Sequence, residues 1–432
     1  MKQAFFVRAR IRGCAAARLA LIVVVICGGF VATAERAGAE QSTVDRRVTH
    51  LSASALLTQP ASVLVDARRQ HAALRLRRYT RPLFGFWALS QIGAFFCVWA
   101  FGYGARLRDA ASRAIGNTFA MRFTFAAVLT LVGAAASIPA SFARYRVDLG
   151  FGTSAERAAS WIRDGFVNAA VEAAVVGAVV ACIFALVDRT RIWYAYAMAG
   201  LFVVTLFIAF LEPVTVAPLY NHFVPLGRKA PIRAPLEALA KRAGVYRAPV
   251  YVADASRRTR SVTADIAGFG PTKRIVLGDA LLADATPGEV LFLAARELGH
   301  YAHGDDFRLS LFWTFLFIFA SALAVVIADR VGFRNDDDAL ARLPLVFALM
   351  GLIGLVLVPV YNGYSRNIES RADAYALALT RNRVAAIRAY VRIADETLDP
   401  LCPARLARLY FLNSPPIGTR IARVQRRRNP CP

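Results

Sequence analysis

The 432-residue sequence predicts a mainly α-helical, polytopic membrane protein: a bundle of seven spans carrying a cap with a few short strands. Three observations carry this expectation. Apolar residues make up 57% of the chain and mean hydropathy is positive, which is too apolar for an ordinary soluble protein of this length. Seven apolar runs approach the roughly 20 residues that cross a bilayer. A polar insert separates the fifth run from the sixth, and a basic tail follows the last.

The runs are Leu19–Ala34, Leu83–Tyr103, Phe123–Ala143, Phe166–Val187, Trp193–Leu211, Leu309–Ala328 and Leu343–Asn362. Most are bounded by arginines or aromatics, as membrane ends usually are. The first is short. With Lys2, Arg8, Arg10 and Arg12 before it and A-x-A sites at Ala32–Ala34 and Ala37–Ala39, it fits a signal peptide as well as a first span. The organisation expected is then a signal peptide or first helix over 1–40, a polar Arg-rich connection over 41–82, and spans two to five over 83–212. The insert follows over 213–308, then spans six and seven over 309–364, and a helix with the basic tail over 365–432 that folds with the insert.

Within the insert, Leu236, Leu239 and Ala240 sit at helical spacing and Gly244 closes that segment. Val250–Val252 and Arg274–Leu277 read as short strands. Thr286-Pro287-Gly288-Glu289 opens a further helix: threonine caps it, proline takes the first helical position, and Glu289 completes a capping box. That helix should run to about His303, before Gly304.

A formal charge of +24 invites nucleic acid as a partner, but no nucleic-acid module accompanies the arginines, so none is expected. Basic residues bordering spans report topology instead. If the Arg-rich connections are cytoplasmic, the cap is too, in an integral multi-pass protein of the inner or cytoplasmic membrane if bacterial. Six scattered cysteines, Cys14, Cys27, Cys97, Cys182, Cys402 and Cys431, lack metal or disulfide spacing and read as reduced.

Positions 296–300 read Arg-Glu-Leu-Gly-His. In H-E-x-x-H, two histidines four apart on one helical face bind Zn²⁺ and the glutamate activates water. Glu297 and His300 are present here, but the first ligand has become a permanent cation, Arg296. Directly after the last run, Glu369 and Asp373 are four apart and project from one side of a helix. A carboxylate from a second helix is the usual third zinc ligand, and a further acid commonly supports it.

These two elements, with seven spans at these separations, resemble the type I CAAX prenyl proteases, integral-membrane zinc metallopeptidases of the gluzincin type. The resemblance covers roughly residues 80–425. It includes Ile138-Pro139, Phe151-Gly152, Trp161 with Asp164, Pro218-Leu219-Tyr220-Asn221, Val252–Ser256, Thr272–Asp279, Ser365-Arg366, Ala372-Asp373 and Pro415-Pro416. It implies a hollow intramembrane chamber under a metallopeptidase cap, and cleavage of prenylated or membrane-associated peptides in contact with the lipid bilayer. It also implies Glu297 as general base, His300 and Glu369 as metal ligands, and Asp373 in support. Ala264, Gly268 and Arg420 stand on the substrate side or serve the fold.

Three positions depart from the family pattern. Arg296 replaces the first zinc histidine, Thr263 the asparagine that holds the peptide backbone, and Ser414 the histidine expected to stabilise the oxyanion. Loss of one oxyanion donor costs on the order of 3 kcal/mol in barrier. A guanidinium ~4 Å from a dication adds repulsion of order 8 kcal/mol at an effective dielectric near 20. The expectation is a catalytically degenerate homologue with zinc weak or absent, Arg296 binding Glu369 and Asp373 in its place. An active zinc endopeptidase with an unconventional site is the alternative. Of the other histidines, His50, His71, His222 and His303, only His303 could join His300 and Glu369, and it would direct a metal away from Glu297. A transporter or channel is a third reading, opposed by spans nearly free of ionisable residues apart from Glu172.

Overall fold

The computed structural model describes residues 51–431 apart from 216, 247, 269–271 and 332–337. The first apolar run, Cys14, Cys27 and His50 lie outside the described residues. Five helices are long and apolar enough to cross a membrane: α1 (Ala67–Ala100), α2 (Thr118–Gly150), α3 (Ala158–Val187), α7 (Asp305–Val331) and α8 (Ala339–Thr380). The expected span at Trp193–Leu211 lies within α4 (Trp193–Thr215). Large apolar side chains on these helices face outward, among them Phe166 and Val356 at 74% and 70% exposed. That is the surface of a protein whose solvent is lipid.

Two helices overrun their apolar segments. In α1 the Asp66 carboxylate accepts from the Arg68 and Arg69 amides at 2.7 and 3.0 Å, so the chain is helical from Ala67 and passes through Pro82. Of the Arg-rich connection expected up to residue 82, the described part from residue 51 is thus mostly helix, in Ala53–Thr58, Ala61–Leu64 and the start of α1. In α8, 42 residues run unbroken from Ala339 to Thr380. At 1.5 Å per residue that is about 60 Å, roughly twice the hydrocarbon core. The half beyond the membrane carries Glu369 and Asp373 into the cap.

The cap contains α5 (Arg233–Arg242), α6 (Pro287–His303), α9 (Arg383–Glu396), α10 (Ile417–Gln425) and four strands. The strands are β1 (Phe223–Pro225), β2 (Val250–Ala253), β3 (Ala264–Ala267) and β4 (Arg274–Gly278), in the order β1-β2-β4-β3. β2 and β4 are parallel, and β3 runs antiparallel to β4 with Ala264 opposite Leu277. One apolar core draws Leu236 of α5, Leu277 of β4, Phe292 and Leu298 of α6, Tyr390 of α9 and Ile421 of α10 together, with Leu56 from the segment before α1.

Helix α6 starts as its sequence predicts. The Glu289 carboxylate accepts from the Thr286 amide at 2.8 Å and from its hydroxyl at 2.7 Å. Gly304, at φ 62°, ends the helix. Glu289 is fully buried, and its other oxygen takes 2.8 Å from Arg392 Nε of α9. Arg392 also reaches Glu396 at 3.2 Å, but burial outweighs this guanidinium and pushes the Glu396 carboxyl up to about 7.

An unfolded carboxyl titrates near 4.5, so the folded chain holds this proton more tightly. Its stabilising contribution is complete below the unfolded value and is lost as pH rises through about 7. Glu396→Gln is expected to gain on the order of 2–3 kcal/mol over the unsubstituted chain at pH ~8, and nothing at pH ~4. Thermal unfolding at both pH values measures this, and equal midpoints at the higher one contradict it.

The cysteine expectation needs correction. Cys402 and Cys431 form a disulfide, although they lie 29 positions apart in the sequence. The chain between them folds back through α10, so sequence spacing gave no sign of their meeting. Cys97 and Cys182 are free.

Candidate active site

The site forms where α6 crosses the cap end of α8. Gly299 permits the approach: a Cβ there would lie 3.0 Å from the Tyr375 ring. Arg296 and His300 share one face of α6, and Glu369 and Asp373 share the opposing face of α8, each pair one helical turn apart.

The Arg296 guanidinium sits among the acids. Its Nη1 donates to Glu297 Oε1 at 2.5 Å, its Nη2 donates to Glu369 Oε2, and its Nε lies 3.6 Å from Asp373 Oδ1. Burial lowers the guanidinium's affinity for its proton, but Glu297, Glu369 and Asp373 outweigh this and hold its pKa above the ordinary value. It is a permanent cation. The Glu297 carboxyl is pushed up, because burial outweighs the pull of Arg296 and His300.

Asp373 has a second cation. Arg420 of α10 binds it in a fork, Nε to Oδ2 at 2.8 Å and Nη2 to Oδ1 at 2.5 Å, and lies 4.5 Å above the Tyr390 ring. Arg296, Arg420, Glu297, Glu369 and Asp373 thus form a compact cluster of two positive and three negative groups. His300 closes its outer side, with Nε2 3.6 Å from Glu369 Oε1. Its Nδ1 is 3.1 Å from Asp305 Oδ2, and the other oxygen of Asp305 accepts from Arg371 at 3.1 Å.

The zinc ion that H-E-x-x-H would hold does not fit these residues. The guanidinium occupies the carboxylate oxygens that would face it. Among the described residues, no three His, Cys, Asp or Glu side chains group to hold a metal. His303 does not supply a third ligand: its Nδ1 is 2.7 Å from the Gly299 carbonyl, and its ring packs edge-on to Tyr375 at 5.4 Å.

The remaining sequence candidates lie around this cluster. Strand β3, with Ala264 and Asp265, is one of the two sheet edges, the one next to β4. Thr263, just before it, lays its hydroxyl against Gly278 of β4. Gly268 follows the strand at φ 83°, and a Cβ there would strike the Thr272 carbonyl at 2.5 Å, so the position requires glycine. Ser414 is half-buried in the turn before α10. Three residues escaped the sequence reading: Asp305, Arg371 and Tyr390. Asp305 was detectable, since an acid just past a helix that ends in histidine can turn back onto the ring; the other two carry no local signal.

Residues 227–428 match peptidase family M48, and residues 54–222 match the five-helix N-terminal membrane region of CAAX prenyl proteases. An uncharacterised metalloprotease of Bacillus subtilis, YhfN, is 27% identical over 78% of this chain and 80% of its own length. The CAAX prenyl protease 1 of Saccharomyces cerevisiae is 26% identical over 61% of this chain and 63% of its own. The probable CAAX prenyl protease 1 of Schizosaccharomyces pombe is 29% identical over 53% and 48%. The matches to these two yeast proteins therefore span only about half to two thirds of their length. The crystal structure of S. mikatae Ste24p superposes with a TM-score of 0.73, covering 93% of this chain and 98% of that one at 21% identity. At that identity the likeness concerns the fold.

Proposed function

This chain belongs to the CAAX prenyl protease group of peptidase family M48, and on that premise we propose that it is a membrane-embedded pseudoprotease. It keeps a site for membrane-associated or lipidated peptides but does not hydrolyse them. Peptidases of this family generally use zinc. One observation carries the proposal: the Arg296 guanidinium stands among Glu297, Glu369 and Asp373, on the helical face where H-E-x-x-H presents its first metal ligand.

The chemistry follows from the pairing. A general base must accept a proton from water, and here Glu297 already accepts from a cation that never releases its own. The positions of Thr263 and Ser414 remove a backbone-holding amide and an oxyanion donor by the same family resemblance. Peptide binding is less affected, because β3 is an edge strand beside α6 and an extended peptide can pair with such an edge through main-chain hydrogen bonds alone.

Elemental analysis of the purified full-length chain is the direct test. Zinc well below stoichiometric is expected, with no chelator-sensitive cleavage of a prenylated peptide. About one zinc per chain, lost in His300→Ala, would overturn the proposal. For the side on which the cap lies, arginine-bordered spans favour the cytoplasm, whereas the Cys402–Cys431 bridge favours an oxidising compartment. Alkylation of those two cysteines in intact cells under non-reducing conditions places it in the cytoplasm; resistance places it outside.

A further inference from the structure

Away from the Arg296 cluster, a cavity of about 360 Å³ opens between α1, α2 and the turn leading into α3, a volume within the range of small-molecule sites. Its depth is fixed by the chain itself. Leu83 begins the apolar run of α1 and Ala143 ends that of α2, so Leu83 and Arg144 in the cavity wall mark the membrane boundary. Its Trp87, Tyr145 and Trp161 are the residue types that settle at that level.

The wall is dipolar. Arg144 contributes the one guanidinium, 2.6 Å from Asp148. Asp148 and Glu156 contribute two carboxylates, beside Tyr145 stacked on Trp161 with ring centroids 5.2 Å apart. The Tyr145 hydroxyl donates to the main-chain carbonyl of Glu156 at 2.9 Å, which fixes both the ring and the turn. Burial pushes the Glu156 carboxyl above the usual range and Asp164 adds to this, against the Ser160 hydroxyl and Arg258, whose Nε lies 3.9 Å away outside the cavity wall. An ammonium group in the cavity would offset that desolvation.

We propose that this cavity binds the headgroup of a zwitterionic phospholipid with a primary amine, of the phosphatidylethanolamine class. The ammonium lies between Asp148, Glu156 and the aromatic faces, and the phosphate lies on Arg144. A primary ammonium can donate to both carboxylates as well as face the rings, whereas a quaternary ammonium has no proton to donate. An anionic glycerol headgroup could set its phosphate on Arg144 but would bring no cation to the two acids. The inference is independent of what happens at Arg296.

The test uses the full-length chain reconstituted in nanodiscs of equal parts phosphatidylethanolamine, phosphatidylcholine and phosphatidylglycerol. It is then extracted in detergent and its retained lipid is read by mass spectrometry. The unsubstituted chain is expected to enrich phosphatidylethanolamine about tenfold over phosphatidylglycerol. Glu156→Gln, which preserves shape, and Trp161→Leu are each expected to reduce that to about twofold or less. A thermal midpoint within a few degrees of the parent confirms that each variant is folded. Equal retention of the three lipids, or enrichment unchanged in both variants, overturns the proposal. So does a rise in midpoint with soluble glycerophosphoethanolamine equal to that with vesicles, which would assign the cavity to a free phospho-amine.

Discussion

Arg296→Met is expected to destabilise the cap by about 3–5 kcal/mol, the usual cost of removing one partner from a buried ionic cluster. Methionine approximates the volume of the arginine stem, so packing changes little. What changes is charge. Glu297 and Glu369, each 15% exposed, and Asp373, at 7%, would face one another with Arg420 as the one remaining permanent cation and His300 at the edge, 3.6 Å from Glu369. Arg420 engages Asp373 alone by hydrogen bond, so two carboxylates lose their direct cation.

The pH dependence gives the effect its signature. Burial already pushes the Glu297 carboxyl up, and Arg296 is the largest influence opposing it. Without that guanidinium the folded-state pKa rises further above the unfolded value. The variant should therefore recover stability as pH falls and the buried carboxyl takes up its proton. Denaturant or thermal unfolding at neutral and mildly acidic pH measures both effects. Adding Glu297→Gln and Glu369→Gln to Arg296→Met should restore most of the loss, because uncompensated charge rather than shape is the cause. A loss under about 1 kcal/mol at neutral pH would mean that the three acids do not depend on Arg296.

Local signals in the sequence reached far into this site, and long-range contacts account for the rest. The capping box at Thr286–Glu289 and the stop at Gly304 set the limits of α6, and the four-residue spacings placed Arg296 with His300 and Glu369 with Asp373. Each of those inferences needs only a few neighbouring residues and one helical period. The short strands at Val250 and Arg274 were legible for the same reason. The partner of Asp373 was not, because Arg420 lies 47 residues away on a helix whose packing depends on the whole cap core. The Cys402–Cys431 bridge escaped for that reason too. Polar composition marks where a helix leaves the membrane, not where it ends. In α1 and α8 the polar segments continue a helix that leaves the membrane and enters the cap, where Arg77 and Asp399 pair and Glu369 meets Arg296.

Arg296→His should convert the cluster into a metal site without restoring an efficient enzyme. Histidines at 296 and 300 would share the face of α6 that opposes Glu369, and Asp305 already lies 3.1 Å from His300 Nδ1. A second partner of that kind fixes a ligand histidine's tautomer and orientation. The substitution also removes a charge whose repulsion toward a dication is of order 8 kcal/mol at ~4 Å and an effective dielectric near 20. The expected result is about one zinc per chain in the variant against a small fraction in the parent, with a raised thermal midpoint in the presence of the metal. Peptide cleavage should stay low, because Ser414 replaces the histidine expected to stabilise the oxyanion. Adding Ser414→His to Arg296→His is then expected to raise kcat by about 10²–10³-fold, the worth of one oxyanion donor. Thr263→Asn should act mainly on KM, since it restores contact to the peptide backbone in ground and transition states alike. Failure of Arg296→His to bind more zinc than the parent, in protein that is otherwise folded, would show that residue 296 is not what keeps the metal out.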